Sequence, residues 1–336
     1  MGRLLFIIVF IFFLILKTLG QDIHFSQADL SPLNLNPSLT GLFDADFRIH
    51  ANERNQWRSI TVPYKTFSAS FDAAFRKIPV PGFAGAGLVF NTDKAGDGDF
   101  GTNQIKLVAA YHYQFKNDTN LMVSLGFNIS FNQHTINYSR FYFGNQYNGY
   151  TYDPNLISGE TFPSENISYF DGSLGASVNY VYKNIPFEAG LAFHHLNKPE
   201  QSFFSETVVE LDRKFDSHFS ARFDVNDKLS LLPTVFWFRQ GRFNEFNFGG
   251  LAQRKLNSLA FRSVYLGGWL RWKDAGIVCF AFDYQNFRIG VSYDINISSL
   301  KIASGGKGGL ELSLRYIFSK PEKTLIPGKH ICPPFI

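Results

Sequence analysis

The chain has 336 residues, of which 45% are hydrophobic and 18% charged, and its formal net charge at pH 7 is only +4. This mild positive excess argues neither for a nucleic acid nor for an acidic partner, and two cysteines are too few for a disulfide-built extracellular scaffold. The unusual feature is the aromatic content, 38 Phe and 15 Tyr, which at near-neutral mean hydropathy is typical of lipid-facing strands with aromatic girdles.

The first twenty residues have the pattern of a cleaved export signal. Arg3 precedes an unbroken apolar run from Leu4 to Leu16, and Gly20 is a small residue at the expected cleavage point. The run is too short to span a bilayer, which needs about 20 apolar residues. No cysteine follows it, so processing as a lipoprotein is not expected. We therefore predict that residues 1–20 are a signal peptide and that the mature chain is exported.

Residues 21–43 contain Ser-Pro, Asn-Pro and glycine, a composition that predicts irregular structure with short turns. Because this segment precedes the first predicted strand, it either plugs a lumen or lies across its periplasmic mouth; the plain alternative is a flexible leader. The spacing of its leucines favours docking over disorder: Leu30, Leu33, Leu35, Leu39 and Leu42.

Beyond this segment the sequence alternates with a period of two. From Leu121 to Asn132, apolar residues alternate with small or polar ones, which gives a strand one apolar and one polar face. Since lipid offers no hydrogen-bond partner to an open sheet edge, such strands must close on themselves. The predicted fold is all-β, a transmembrane antiparallel β-barrel of about 14 strands over residues 44–319. The fourteen runs are 47–57, 64–77, 83–91, 102–116, 121–133, 169–183, 187–196, 214–226, 229–240, 243–254, 259–271, 275–285, 286–296 and 309–319.

Connection lengths alternate as well. Connections after even-numbered strands are short, whereas several after odd-numbered strands are long: 92–101, 134–168, 197–213 and 297–308. Outer-membrane barrels have short periplasmic turns and long external loops, so this parity places the C-terminal tail, residues 320–336, in the periplasm. Pro233 cannot donate a ladder hydrogen bond, and it predicts a bulge or a shortened strand in the ninth run.

The predicted inward face carries charges of both signs. A lumen filled by ion pairs and water and an open solute channel both fit such a set. Rings of a single sign would favour a selective pore, so the mixture favours the filled lumen. The polar residues on this face are Asp72, Arg76, Lys106, His112, Arg222, Asp224, Arg288, Asp294, Glu311 and Arg315.

The sequence contains no convincing catalytic or metal-binding motif. His218, Ser220 and Asp224 share a strand face, but that face is predicted to point into the lumen, away from phospholipid, and no G-x-S-x-G nucleophile elbow occurs. The adjacent His194 and His195 point apart on a strand, and the carboxylates near residue 97 lack the glutamate that closes an EF-hand. We predict that the protein is not an enzyme and uses no metal or cofactor.

Two features stay open at this level. The stretch from Tyr138 to Tyr152 is dense in Tyr, Asn and Gly, a composition suited to adaptable contacts. It either touches a partner or folds over the barrel mouth. Cys279 and Cys332 could form one disulfide bond, although the sequence favours two unpaired cysteines.

The two ends of the chain carry motifs that a barrel wall does not explain. In chain order the motifs are Asp22-Ile23-His24-Phe25-Ser26-Gln27, Leu35-Asn36-Pro37, the S-Y-D-x-N segment Ser292–Asn296, the glycine-rich stretch from Ala303 to Gly309, and Cys332-Pro333-Pro334-Phe335. Together they resemble the PorP/SprF family of outer-membrane proteins of the type IX secretion system of Bacteroidetes. Ala28, where an aromatic residue is more usual, and the terminal Ile336 depart from the family pattern.

The resemblance implies a non-enzymatic outer-membrane barrel that helps the type IX machine to secrete or display cargo, such as a large adhesin of gliding motility. It also implies periplasmic contact with a ring-forming lipoprotein of the PorK type or a peptidoglycan-binding lipoprotein, and external contact with the C-terminal domain of the cargo. The rival hypothesis is a transport barrel for a hydrophobic or small polar solute, similar in outline to fatty-acid channels. The residues expected to bind partners are Asp22, His24, Phe25, Ser26, Gln27, Pro32, Asn36, Pro37, Gly41, Cys332, Pro333 and Phe335.

Overall fold

The structure is a computed structural model that describes residues 22–58, 62–204, 208–299 and 301–320. Two short α-helices occur, α1 (Pro32–Leu35) and α2 (Lys301–Ser304), and no helix in the described part of the chain is long and apolar enough to cross a membrane. The predicted signal peptide, the tail beyond residue 320 and Cys332 lie outside the described residues. Within these residues the strands are β1 (Phe47–Gln56), β2 (Tyr64–Phe75), β3 (Phe83–Ala95), β4 (Phe100–Gln114), β5 (Leu121–Thr135), β6 (Asn166–Tyr182), β7 (Ile185–His194), β8 (Lys214–Ala221, resumed at Phe223–Asp224), β9 (Leu229–Gln240), β10 (Phe243–Lys255), β11 (Phe261–Arg271), β12 (Ala275–Tyr284), β13 (Phe287–Asn296) and β14 (Lys307–Phe318).

These strands form a single antiparallel sheet that closes on itself. Each strand pairs with its neighbours in sequence, and β1 pairs with β14 along its full length, from Phe47 opposite Phe318 to Gln56 opposite Gly309. Closure leaves no sheet edge whose N–H and C=O groups would face lipid unpaired. The predicted antiparallel barrel of about 14 strands is therefore confirmed.

Side chains alternate between an apolar outer face and an inner face rich in polar groups. In β5, Leu125, Phe127 and Ile129 are exposed on the outside, whereas Ser124 and Asn128, which alternate with them, are buried in the lumen. An apolar exterior bounded by aromatic rings is what a barrel needs in order to lie in a bilayer. Stacked rings of such a girdle lie on the outer face where β1 begins: Phe47, Phe287, Tyr316 and Phe318.

The two ends of the barrel differ in the length of their connections. We call one the long-loop end, because it carries the connections 136–165, 195–213 and 297–306. The other, the short-turn end, carries connections of two to seven residues, for example Lys183–Asn184 between β6 and β7. In outer-membrane barrels the short turns face the periplasm.

The prediction of a long loop at residues 92–101 is wrong. β3 continues to Ala95 and β4 begins at Phe100, so the connection between the two strands consists of four residues. Thr92 pairs with Asn103 in this extension of the hairpin. The side chains here are polar on both faces, so the alternation that marks a strand is absent although the ladder of backbone pairs continues.

The effect of Pro233 falls on the neighbouring strand rather than on its own. β9 is unbroken, and Pro233 pairs with Gly250 of β10. β8, by contrast, is interrupted at Arg222, between its paired residues Ser220 and Phe223. The break lies beside Pro233, because Thr234 pairs with Ser220 and Leu231 with Phe223, and proline has no N–H to give to a neighbouring strand. The bulge or shortening predicted for the ninth strand is therefore displaced to the eighth.

Candidate functional site: the occupied lumen

Residues 22–42, which we call the plug, run through the lumen from one end of the barrel to the other. At the long-loop end, the amide of Asp22 donates to Oε1 of Gln240, the last residue of β9, at 2.9 Å. At the short-turn end, the amide of Gly41 donates to Oδ2 of Asp72, near the end of β2, at 2.7 Å. The amino-terminal end of the plug therefore lies at the end of the barrel opposite to the start of β1.

Two buried carboxylates of the wall hold the head of the plug. Glu311 of β14 accepts hydrogen bonds from the amides of Ser26 at 2.6 Å and Gln27 at 2.9 Å. The Ser26 hydroxyl donates to Asp294 of β13 at 2.7 Å, and the Gln27 amide group donates to Ser292 of the same strand at 3.2 Å. The Ser-Gln pair of the N-terminal motif and the S-Y-D-x-N segment thus bind each other.

Arg54 of β1 supplies positive charge to these carboxylates. Its Nη2 lies 2.7 Å from Asp294, its Nε lies 3.9 Å from Glu311, and its Nη1 donates to the carbonyl oxygen of His24 at 2.7 Å. Arg271 adds a second cation, 3.2 Å from Asp294. These wall side chains are almost inaccessible to solvent. Because buried ions persist in proteins only when they are paired, this network fixes the head of the plug to the wall.

The Asn-Pro turn of the plug fits a notch in the wall. The amide group of Asn36 donates to the carbonyl oxygens of Ala176 and Leu191, both at 3.1 Å, and its side-chain oxygen accepts the Ser38 amide at 2.9 Å. One wall residue that faces Asn36 is Gly175, where an added Cβ would overlap the Asn36 side-chain oxygen. Only glycine leaves room for the turn at this point of β6.

The foot of the plug is held by an ion pair and by a close backbone approach. Asp72 accepts two hydrogen bonds from Arg48, at 3.0 and 2.7 Å, in addition to that from the Gly41 amide. Arg48 also donates to the Leu39 carbonyl oxygen at 3.0 Å. Gly41 has a φ of +80° and lies against the backbone of Gly85, so no side chain fits there. These contacts turn the chain out of the lumen toward β1.

Apolar contacts of the plug leucines add to the polar ones. Leu33 packs against Val89 and Val108. Each fully buried leucine contributes about 1.5–3 kcal/mol relative to an exposed one. On the opposite wall, Ala28, Leu35 and Leu39 of the plug join a buried cluster with residues of β9 to β12: Phe236, Leu251, Tyr265, Trp269, Ile277, Cys279 and Ala281.

Of the ten polar residues predicted on the inward face, Lys106 and His112 are buried in the lumen. Five of the other eight, all of which are charged, line the lumen as well. Two of them lie nearer the short-turn end, where Arg288 binds Asp283 at 2.7 Å and Arg315 lies 3.9 Å from the same carboxylate. The remaining three are buried beside the plug: Asp72, Asp294 and Glu311.

The prediction of a place in the buried lumen network is wrong for three residues, which lie at the short-turn end outside that network: Arg76, Arg222 and Asp224. Arg76 is exposed and donates to the carbonyl oxygens of Phe43 and Ala45. Arg222 and Asp224 form a solvent-accessible ion pair of 3.0 Å. Arg76 follows the end of β2, Arg222 lies in the break of β8 and Asp224 ends that strand. At this level the barrel opens to water, and the alternation of faces no longer decides what a side chain contacts.

The residues predicted to bind partners make contacts within the chain. Asp22 and His24 are partly accessible near the long-loop end, whereas Cys332, Pro333 and Phe335 lie outside the described residues. Contact with a partner through any of these residues stays a prediction. Seven of the set are buried as parts of the plug: Phe25, Ser26, Gln27, Pro32, Asn36, Pro37 and Gly41.

Sequence reasoning missed the arginines that hold the plug, Arg48, Arg54 and Arg271. A signal for two of them existed. Arg48 and Arg54 stand at even positions of the predicted strand 47–57, where they alternate with outward-facing residues such as Ile49. The alternation was sufficient to place them inside the barrel, but not to show which carboxylates they meet.

The histidines and the cysteine of the lumen make no recognisable reactive group. In the part of the chain that the structure describes, no three His, Cys, Asp or Glu side chains are arranged to hold a metal ion. Neither ring nitrogen of His218 has a hydrogen-bond partner there, so His218 makes no hydrogen bond to Ser220. Cys279 is buried, with its sulfur 3.5 Å from Oε1 of Gln27.

An ion pair joins the first residue of the described chain to the long-loop end. Asp22 lies 3.4 Å from Nε2 of His195, which follows β7, and Asp171 lies 2.7 Å from the other ring nitrogen. Burial opposes the charged ring, but the two carboxylates outweigh it and raise the pKa of His195 to about 9. Burial likewise opposes ionisation of Asp22, and the charge of His195 nevertheless holds the pKa of Asp22 well below its usual value.

This ion pair makes the attachment of the plug dependent on pH. Because the pKa of His195 is higher in the folded state than in the unfolded chain, its stabilising effect is fully present below about pH 6.5 and is lost as the pH rises through about 9. We expect amide hydrogen exchange at Asp22 and Ile23, corrected for base catalysis, to accelerate between about pH 7 and pH 10. The variant His195→Gln should show no such step, and a step of equal size in that variant would refute the assignment.

A closed strand barrel with an apolar exterior and a lumen filled by the chain's own N-terminal segment defines a plugged transmembrane β-barrel. Comparison with known protein families identifies the family of the chain. The chain belongs to the PorP/SprF family, since the family described as "Type IX secretion system membrane protein PorP/SprF" matches residues 18–316. The resemblance inferred from the terminal motifs is thereby confirmed.

Solved barrels of other kinds are similar in fold. The Ralstonia pickettii toluene transporter TbuX is 11% identical, with 86% of this chain and 93% of that chain covered and a TM-score of 0.48. A ΔS2S3 mutant of the monoaromatic hydrocarbon channel TodX is also 11% identical, with coverage of 87% and 94% and a TM-score of 0.49. The translocator domain of the autotransporter NalP from Neisseria meningitidis is 13% identical, with 87% of this chain and 96% of that chain covered and a TM-score of 0.42. No curated protein matches the chain.

Proposed function

We propose that this protein is a non-enzymatic accessory component of type IX secretion. It supports the secretion or surface display of a cargo, such as a large adhesin of gliding motility, without acting as the conduit. The observation that carries the proposal is the plug, which is hydrogen-bonded to the wall from Asp22 to Gly41. A polypeptide that passed through this lumen would have to replace those contacts, including a buried ion network.

The two ends of the barrel then serve different partners. The short-turn end faces the periplasm, as in other outer-membrane barrels, and contacts a ring-forming lipoprotein of the PorK type or a peptidoglycan-binding lipoprotein. The long-loop end faces the outside and contacts the C-terminal domain of the cargo. Membership of the PorP/SprF family supports this division of roles.

A solute channel is the alternative function, and the same plug argues against it. If the lumen conducted, the purified protein would show single-channel conductance in a planar bilayer. We expect no conductance from the intact barrel, because residues 22–42 occupy its length. Steady channels of defined conductance would favour the transport hypothesis instead.

The connection 136–165 supplies a surface suited to contact with a cargo. Internal packing holds this loop, for example the stacking of Tyr138 on Phe162 with ring centroids 3.8 Å apart. Tyr147 and Tyr150 nevertheless point outward and are 58% and 91% exposed. Exposed aromatic side chains on an ordered loop are typical anchors of protein interfaces, because they bury a large area with little loss of conformational entropy.

The double substitution of Tyr147 and Tyr150 by serine is expected to reduce the amount of type IX cargo on the cell surface. Loss of two aromatic anchors weakens binding by roughly tenfold or more. Whole-cell immunofluorescence of the cargo, compared with its total amount by immunoblot, measures the effect. The matched control Ile302→Ser removes an equally exposed apolar side chain, 93% accessible, from the same end of the barrel, and should leave display unchanged.

Deletion of the gene tests the proposal as a whole. We expect a specific cargo to disappear from the surface while the envelope keeps its resistance to detergents. Normal export of every type IX cargo in the deletion strain would overturn the proposal, and affinity purification from native envelopes would identify the lipoprotein partner.

A further inference from the structure

A cavity of about 170 Å³ remains between the plug and the wall, in the half of the lumen nearer the short-turn end. The plug side is lined by apolar residues such as Leu35 and Leu39, together with Asp29. The wall side is formed by β7, β8 and β9 and includes Glu188 and His218. Arg48 and Phe236 of this lining also hold the plug, through the Leu39 carbonyl oxygen and the buried cluster with Leu35 and Leu39, whereas Glu188 and His218 contact each other.

Two carboxylates and one guanidinium are among the described side chains that line the cavity. Asp29 and Glu188 contribute carboxylates, whereas the guanidinium of Arg48 in the lining is already bound to Asp72 by contacts of 3.0 and 2.7 Å. A cation placed between the two carboxylates would therefore be stabilised by both.

His218 is a buried group that contacts Glu188 without forming a hydrogen bond. The residue is 6% exposed, and neither ring nitrogen has a hydrogen bond in the described part of the chain. Its Nε2 lies 3.4 Å from Glu188. The ring is held against Gly190, where an added Cβ would overlap it, so the wall is shaped to keep His218 in this place. A buried polar group without a hydrogen bond costs free energy unless a ligand satisfies it.

We propose that this cavity binds a small aliphatic amine, with the ammonium group between Asp29 and Glu188 and the alkyl chain against Leu35 and Leu39. An ammonium group has three donors, which match the two carboxylates and a ring nitrogen of His218. A volume of 170 Å³ holds about six atoms of water size, which corresponds to n-pentylamine. The inference is independent of the proposed role in secretion.

The test uses the full chain in nanodiscs of a zwitterionic phospholipid, with labelled n-pentylamine in equilibrium dialysis. Binding of one amine per barrel is expected, and pentan-1-ol and pentanoate should not compete, because neither supplies the charge that the carboxylates require. The variants Asp29→Asn and Glu188→Gln should each weaken binding by about tenfold or more. Heat-modifiable mobility in gels verifies that each variant is folded.

Glu160→Gln is the matched control, since Glu160 is an exposed carboxylate on the 136–165 loop, remote from the lumen. It should bind the amine as the native protein does. Competition by pentan-1-ol, or unchanged amine binding in folded Asp29→Asn and Glu188→Gln variants, would show a water-filled apolar void and overturn the proposal.

Discussion

Replacement of Arg54 by alanine is expected to lower the free energy of unfolding by about 3–5 kcal/mol, the usual cost of removing one partner from a buried ion pair. The substitution removes the 2.7 Å contact with Asp294 and the cation 3.9 Å from Glu311. Arg271 still lies 3.2 Å from Asp294, but it does not replace the charge beside Glu311. Urea unfolding of the detergent-solubilised protein, followed by tryptophan fluorescence, measures the loss.

The head of the plug is expected to loosen before the barrel does in this variant. The amides of Ser26 and Gln27 donate to Glu311, and they should lose roughly 100-fold of their protection against hydrogen exchange. Arg222→Ala is the matched control, because it removes an arginine–aspartate pair of similar length, 3.0 Å, that is exposed at the short-turn end. Exposed pairs contribute little to stability. Equal effects of the two substitutions would contradict the anchoring role of Arg54.

The wall of the barrel could be predicted because its signal is local. A strand in a bilayer must put apolar side chains outside and polar ones inside, and this alternation appears in consecutive residues such as those from Ser124 to Ile129. The same reason explains the error at 92–101. Beyond the membrane both faces of a hairpin are wet, so the pairing of Thr92 with Asn103 leaves no periodic trace in the sequence.

The path of the plug could not be predicted, because its contacts join residues far apart in the chain. Ser26 and Asp294 are separated by 268 positions, and neither motif shows by itself that the other is its partner. The spacing of the leucines predicted docking, but it is compatible with entry from either end of a barrel. The fit of Asn36 against Gly175 depends on how closely two backbones approach, which no pattern of residue types encodes.

Gly175→Ala is expected to displace the Asn-Pro turn from the wall. The added Cβ would overlap the side-chain oxygen of Asn36 and lie 2.9 Å from Cδ of Pro37. Overpacking of this kind costs about 1–3 kcal/mol, and loss of the hydrogen bonds from Asn36 to Ala176 and Leu191 would add about 1 kcal/mol each. We expect a lower temperature of conversion in heat-modifiability gels and faster exchange of the Ser38 amide.

Gly172→Ala is the matched control in the same strand, since its added Cβ would meet only the Asn128 carbonyl oxygen, at the ordinary distance of 3.8 Å. This variant should be as stable as the native protein, because alanine also restricts the unfolded chain. Equal losses in both variants would trace the effect to β6 itself rather than to pressure on the plug. If Gly175→Ala instead frees the plug while the wall stays folded, the lumen can be emptied without unfolding the barrel. Conductance measured on that variant would then show directly what the plug keeps closed.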